Sequence, residues 1–263
     1  EVSLTGHYGA DDVLATAMRR SDPRLLHLAE AAGDMATVVG FIEEGPAAQF
    51  YNAAAILHRG EVAYLHRKRS LTEDERMVSL WVAPADGGAP RRLTYTDARP
   101  SGVAWRPGGG VSYLLAPEEE APQVWLNPLD GSEPRPVTAL EQGVADYRWS
   151  PNGGRLAVLA RMPDDEEQED ETADWTVYDR LEQPDRYPQL WILEVTAEGP
   201  GEAEPRPLTS PPLYAHHVAF SPDGETVALT YNPRFSSLVD EEQRIDLIDL
   251  ASGERTTITP ATR

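Results

Sequence analysis

The sequence predicts a mainly β chain in two parts. A small α/β fragment comes first, followed by a partial β-propeller of three complete four-stranded blades and part of a fourth. Three observations predict it. A Trp-centred strand with its closing strand recurs through residues 79–259. A second element, strand–Pro–Gly turn–strand, recurs in the intervals. Residues 1–69 carry neither.

In the first third, DDVLATAMRR (11–20) reads as a helix with acidic residues at its start. SDPRLLHLAEAAG (21–33) reads as a second: Asp22 can cap it, Pro23 suits its first turn and Gly33 can end it. Leu25, Leu28, Ala29 and Ala32 would form its apolar face. MATVVGFIEE (35–44) reads as a buried strand. FYNAAAILHRG (50–60) and EVAYLHRK (61–68) read as two strands joined at Arg59-Gly60. Two helices and three strands make this part α/β.

The repeat begins with SLWVAPADGGAPRRLT (79–94). It returns as QVWLNPLDGSEPRPVT (123–138), as QLWILEV with EPRPLT (189–209), and more loosely as IDLIDLASGERTTIT (245–259). Trp81, Trp125, Trp191 and Leu247 align in one column. Leu93-Thr94, Val137-Thr138, Leu208-Thr209 and Ile258-Thr259 align in another. Between them lie VAWRPGGGVSYLLA (103–116), YRWSPNGGRLAVLA (147–160) and VAFSPDGETVALTY (218–231). Proline presets φ at the second turn position, and Gly or Asn supplies the positive φ of a tight reversal. Alternating Val, Leu, Ala and Trp suit half-buried strands.

The blades are expected at 101–138, 145–209 and 217–259, with a partial blade at 79–94. Propellers close with four to eight blades, so the ring is expected to be open. Open edges predict self-association. The middle blade carries an insertion (162–188) whose acidic run Asp164 to Glu171 lacks the alternating ligands and central glycine of a calcium loop; it reads as a solvated loop. Trp175 and Tyr178 are expected to dock the insertion. His216 and His217 are adjacent on a strand and point to opposite faces, which makes them structural rather than a metal pair.

Composition excludes several functions. With no cysteine there is no disulfide, thiolate metal site or cysteine nucleophile. The formal charge of −21 argues against nucleic acid and anionic membranes, and reads as a solvated acidic surface or a match for a cationic partner. No apolar run approaches the roughly 20 residues of a membrane span, and no signal peptide is visible. A cytoplasmic location is expected, although the chain starts at Glu1 and its N-terminus reads as truncated. Lys68 is the single lysine.

The S-P-[DN]-G turn, the L-W strand and the closing R-x-L-T strand resemble the propeller of the prolyl oligopeptidase family, whose acylaminoacyl- and dipeptidyl-peptidase members share these features with TolB-like propellers. The resemblance covers roughly residues 70–263, and WTVYDR with YPQLWIL tilts it toward the peptidases. It implies a propeller that filters and orients peptide substrate for a separate α/β-hydrolase domain. No G-x-S-x-G elbow occurs in this sequence.

Residues 1–69 resemble a different superfamily, the nitrilases or carbon–nitrogen hydrolases, through EVSLTGHY (1–8), VVGFIEEGPAAQFYNAAAIL (38–57) and EVAYLHRK (61–68). That resemblance implies that Glu1 stands at the place of the general base and Lys68 at that of the lysine stabilising the tetrahedral intermediate. The cysteine nucleophile is missing, so covalent turnover is not expected. EVAYLHRKRS (61–70) suits both parents, and the change of resemblance falls between about 60 and 72. This implies a join at a site of local similarity, by gene fusion or by misassembly of the sequence.

The functional expectation is a substrate-gating propeller portion of a prolyl-oligopeptidase-type serine peptidase without its catalytic domain. A carbon–nitrogen hydrolase fragment and a TolB-like protein-binding propeller are the alternatives. No cofactor or metal is expected. A peptide substrate or a protein partner on the propeller is.

Overall fold

The computed structural model describes residues 2–3, 17–19, 22–35, 37–44, 50–69, 76–84, 89–95, 98–117, 120–163, 187–196, 199–201, 203–233 and 243–259. It is mainly β, with four sheets among these residues. The chain divides into two compact units. One holds residues 1–105, 109–118 and 129–132, and the other the remainder.

In the first unit, β1 (Val2–Ser3), β2 (Thr37–Glu44), β3 (Phe50–His58), β4 (Glu61–Arg69), β5 (Arg76–Ala83) and β6 (Arg91–Arg92) form one sheet in sequence order. β1 runs parallel to β2, and every later pair is antiparallel. The helix α1 (Pro23–Ala32) is built as its residues dictate. The Asp22 carboxylate accepts from the Arg24 N–H at 2.9 Å, Pro23 opens the first turn, and Gly33 ends the helix at φ 54°. Leu25 and Ala29 are fully buried against Val39, Phe41, Ala55 and Leu57. Burying one leucine of this kind is worth about 1.5–3 kcal/mol.

Arg59 and Gly60 join β3 to β4 with φ of 48° and 79°, the pair of positive values that a two-residue hairpin turn requires. Their N–H groups donate to the Gly33 and Ala29 carbonyls, so the turn satisfies acceptors left free at the end of α1.

One expectation fails here. The helix expected over 11–20 is absent at residues 17–19. Met18 instead bridges to the rim of β2, its N–H donating to Ile42 O at 2.8 Å and its carbonyl accepting from Glu44 N–H at 2.9 Å. Inter-strand bonds that bury Met18 have won over helix propensity. Where the resemblance changes, the described residues up to Arg69 form a continuous strand. β4 pairs with β3 on one side and with β5 on the other, in register from Val62↔Ala83 to Arg69↔Arg76. Of the residues quoted for the carbon–nitrogen hydrolase resemblance, those described in β2, β3 and β4 pair antiparallel in one sheet with the first Trp strand, β5, and the fold gives that reading no support.

Three four-stranded sheets follow, consistent with a propeller-like fold. The second sheet places its hairpin β7 (Ser101–Trp105) and β8 (Val111–Leu115) in the first unit. Its strands β9 (Gln123–Asn127) and β10 (Arg135–Pro136) pair within the second unit. That unit also contains the third sheet, β11 (Asp146–Trp149), β12 (Arg155–Ala160), β13 (Gln189–Glu194) and β14 (Arg206–Pro207). The fourth sheet is β15 (Tyr214–Phe220), β16 (Thr226–Asn232), β17 (Arg244–Asp249) and β18 (Arg255–Thr257). One apolar cluster joins these two sheets. Ala157, Leu159, Leu190 and Ile192 of the third pack on Val218, Val227, Leu229, Tyr231 and Ile248 of the fourth.

A four-fold hydrogen-bond clasp explains the Leu-Thr column. Thr94, Thr138, Thr209 and Thr259 each accept through Oγ1 from an N–H of the strand next to the outermost one: Leu80, Val124 and Leu190 at 2.9 Å, Ile245 at 3.1 Å. The residue before each threonine donates its N–H back to the carbonyl of that same residue. In two sheets the clasp extends outward. Thr138 and Thr209 donate to the amide oxygens of Gln123 and Gln189, whose Nε2 groups donate to Leu140 O and Leu213 O on the chain leaving the sheet. Backbone groups that a two-residue outer strand would leave bare are satisfied this way.

The clasp also corrects the Trp column. If Leu80, Val124, Leu190 and Ile245 are equivalent, the residue matching Trp81, Trp125 and Trp191 is Asp246, not Leu247. Strand pairing agrees: Trp81↔Arg92, Trp125↔Pro136, Trp191↔Pro207 and Asp246↔Thr257. An aromatic position has become a buried carboxylate. Asp246 accepts from Tyr231 Oη at 3.2 Å, Thr257 Oγ1 at 2.7 Å and the Arg255 guanidinium at 2.6 and 3.0 Å.

Candidate binding cleft

The cleft with the most chemistry among the described residues lies within the second unit, where the turns of the third and fourth sheets meet. It encloses about 360 Å³. Two copies of the Ser-Pro turn build its edge. In Ser150–Gly154 the Ser150 hydroxyl donates to Asn152 Oδ1 at 2.7 Å, and Asn152 Oδ1 accepts from the Gly154 N–H at 3.0 Å. The Ser150 oxygen accepts from the Arg155 N–H at 2.9 Å. Ser221, Asp223, Glu225 and Thr226 repeat the pattern at 2.5, 3.0 and 3.0 Å. The Ser221 hydroxyl holds the Asp223 carboxyl below its ordinary pKa. These turns deliver Arg155 and Glu225 to the cleft as the residues that follow them.

The floor is apolar: Ile192 from β13 and Leu250 after β17, both buried. Arg206 crosses from β14 and donates to Leu250 O at 2.8 Å, tying the third sheet to the turn of the fourth. Arg155 faces Glu225 at 3.8 Å, with about a third of its side chain exposed and more than half of that of Glu225. Such a pair contributes below about 1 kcal/mol and its guanidinium is available to a ligand. Glu194 and Glu204 are exposed at the mouth. The cleft therefore offers an apolar floor, a guanidinium and carboxylates within one small volume. Among the described residues its lining holds no serine, threonine, histidine or lysine.

The residues predicted from sequence lie elsewhere. Glu1, the acidic run Asp164 to Glu171, Trp175 and Tyr178 are outside the described residues. For Lys68 the structure describes only the main chain, paired with Met77 between β4 and β5. His216 lies 3.1 Å from Asn232 Oδ1 while His217 is exposed, with a bulge in the strand between Ala215 and His217. Among the described residues no group of three metal-ligating side chains converges. Arg155, Arg206 and Glu225 went unrecognised in the sequence. The usable signal was their position: two follow the repeated Ser-Pro turn and one opens a repeated R-P-[LV]-T strand.

No protein-family model matches the chain, and no curated protein matches it in sequence. Solved structures do. A puromycin-hydrolysing peptidase from Mycobacterium tuberculosis matches with a TM-score of 0.54 at 16% identity, covering 85% of this chain and 36% of the peptidase. The acylaminoacyl peptidase of Pyrococcus horikoshii matches with a TM-score of 0.52 at 16% identity, covering 76% and 31%. A TolB protein from Agrobacterium tumefaciens matches with a TM-score of 0.47 at 16% identity, covering 75% and 61%. The chain thus spans about a third of the length of the two peptidases and 61% of the TolB protein. The likeness to the two peptidases shows a shared fold, and the four sheets are consistent with a propeller-like one; function is left to be argued from the site.

Proposed function

We propose that this chain is a peptide-binding propeller portion of a peptidase-type protein, which admits and orients substrate while chemistry occurs elsewhere. The observation that carries the reading is the cleft between the third and fourth sheets. An apolar floor with a guanidinium and carboxylates at its rim matches a short peptide, whose carboxylate can meet Arg155 and whose basic group can meet Glu194 or Glu204. The fold shared with the two peptidases supports it further.

Calorimetric titration of the chain with short peptides bearing a free carboxylate and a basic residue tests the reading. Binding is expected with Kd on the order of 10⁻⁵–10⁻³ M, weakened at least about tenfold by Arg155→Glu. No hydrolysis of the peptide is expected. Absence of titratable heat at millimolar peptide, or binding unchanged by Arg155→Glu, overturns it. Reading the gene beyond codon 263 tests the peptidase assignment separately. A downstream G-x-S-x-G with its Asp and His partners supports it, and a long open frame without them removes it.

A further inference from the structure

We propose that Arg106 and Arg135, both in the second unit, form a binding site for a small oxyanion, a phosphoryl or carboxylate group. The site does not rest on the peptide-binding reading. In the first strand–turn–strand element Arg106 stands where Ser150 and Ser221 stand in the other two. Those serines close their own turns with their hydroxyls. Arg106 instead reaches forward to the next turn. Its Nε donates to Gly153 O at 3.1 Å, and its guanidinium lies over the Trp149 ring, 5.3 Å from the centroid. The side chain is half-buried. A planar, permanently charged group is thus held through Nε by main chain and across one face by an indole, which leaves its Nη edge to a ligand.

The repeat brings a second guanidinium to the same place. Arg135 opens β10 opposite Leu126, as Arg206 opens β14 opposite Ile192. Arg206 reaches the carbonyl of Leu250, the residue whose N–H donates to Glu225 O. The matching bond in the third sheet runs from the Val195 N–H to Gly154 O, next to the Gly153 carbonyl that Arg106 holds. Arg135 is close enough for its charge to act there: burial first, and Arg135 second, push the Arg106 pKa below its ordinary value. In the cleft of the third and fourth sheets, Glu194 and Glu225 set carboxylates beside the guanidiniums. Their counterparts here are Pro128 and Gly154. Glu133, the nearest carboxylate to Arg135 along the chain, is exposed and in no ion pair among the described residues. Two guanidiniums brought together beside an indole, with proline and glycine where the other cleft has acids, fit the paired oxygens of an anion. The charge of −21 repels anions at large, so an oxyanion bound here is held by these two groups and not by the field of the whole chain.

Calorimetric titration of the 263-residue chain with inorganic phosphate, and separately with acetate, tests the proposal, with sodium chloride at matched ionic strength as the reference. The expected result is binding of at least one of the two oxyanions at a single site, with Kd on the order of 10⁻⁴–10⁻² M and weakened by added salt. Arg106→Gln and, independently, Arg135→Gln should each weaken it at least about tenfold. Arg135→Gln keeps the test decisive if Arg106→Gln does not fold, since Arg135 lies outside the turns. Arg155→Glu, in the other cleft, should leave oxyanion binding in place, which separates this site from the peptide-binding reading. Phosphate bound more tightly than acetate supports a phosphoryl ligand, and the reverse supports a carboxylate. No heat beyond that of chloride from either oxyanion overturns the proposal, as does binding that survives both glutamine substitutions or is lost in Arg155→Glu alone.

Discussion

The third and fourth sheets share a turn, a clasp and a strand order, yet they are packed differently. β12 is buried on both faces, every residue from Leu156 to Ala160 being 2% exposed or less. β16 alternates, with Val227, Leu229 and Tyr231 buried and Ala228 and Thr230 half-buried between them. The third sheet holds Trp191 where the fourth holds Asp246. The difference teaches what this repeat conserves. The threonine clasp and the Ser-Pro turn fix main-chain hydrogen bonds and so recur. The residues between them answer to whatever lies against each face and so vary.

The sharpest way to break that comparison is to remove matched side chains from the two sheets. Leu190 is fully buried in the two-sheet cluster, and Leu190→Ala should cost about 3–5 kcal/mol. Its counterpart Ile245 lies on the half-covered face, and Ile245→Ala should cost no more than about 1 kcal/mol in the monomer. Urea unfolding at low protein concentration measures both. Equal losses would mean that the outward face of the fourth sheet is already covered within one chain.

The exchange of Trp for Asp gives the next effect. The Asp246 carboxylate is 3% exposed and fully engaged, while the Arg255 side chain facing it is 34% exposed. Asp246→Ala strands Tyr231 Oη and Thr257 Oγ1, but Arg255 can turn to water. The expected loss is about 2–3 kcal/mol, below that of a sealed ion pair. Asp246→Asn, which keeps two acceptor contacts, should recover roughly half. If Asp246→Ala melts like the parent, the carboxylate is not an organiser of the fourth sheet.

The clasp itself offers a smaller, paired test. Thr209 is buried and serves both the Leu190 N–H and the Gln189 amide, whose own Nε2 holds Leu213 O. Thr209→Val should cost about 1–3 kcal/mol, because two buried polar groups lose partners at similar shape. Thr259 is half-buried beside an exposed Ile258, so water can replace its hydroxyl, and Thr259→Val should cost under about 1 kcal/mol. Thermal unfolding followed by circular dichroism ranks the two.

Much of this architecture was legible in the sequence. Local signals were reliable: the Asp22 cap, Pro23 and Gly33 of α1, the Arg59-Gly60 hairpin and the Ser-Pro turns each act within a few residues. The threonine column was visible because its hydrogen bond recurs four times. Three things were not. IDLIDL alternates so evenly that it can slide by one residue, and composition favoured Leu247 over Asp246 for the Trp column; only the register to β16 and β18 decides. Met18 belongs to β2 through bonds to Ile42 and Glu44, which no local pattern announces. The cleft joins Arg155 and Arg206 to Glu225 and Leu250 across two sheets, so its residues become neighbours only when both sheets are packed. The opening third misled by motif. EVAYLHRKRS looked like the end of one family's strand and the start of another's repeat, whereas its strand β4 pairs antiparallel with β3 and β5 inside one six-stranded sheet.

The smallest expected effect sets the two Ser-Pro turns against each other. Asn152 and Asp223 accept equivalent hydrogen bonds, but only Asp223 can titrate. The Ser221 hydroxyl and the Glu225 N–H favour its charged form and lower its pKa in the folded state. A depressed folded pKa means stability that is present above the unfolded value, about 4, and lost as pH falls through the folded value. The β15–β16 hairpin should therefore loosen in acid through a route that the β11–β12 hairpin does not have. Because Asp223 is solvent-exposed, the change should be slight, best seen as faster amide exchange of Glu225 and Thr226 near pH 3 than of Gly154 and Arg155, each rate taken relative to its intrinsic value. Asp223→Asn copies the third-sheet turn and should remove the difference. If the two turns still diverge in acid with asparagine in both, the divergence arises from the half-covered face of the fourth sheet and not from its turn.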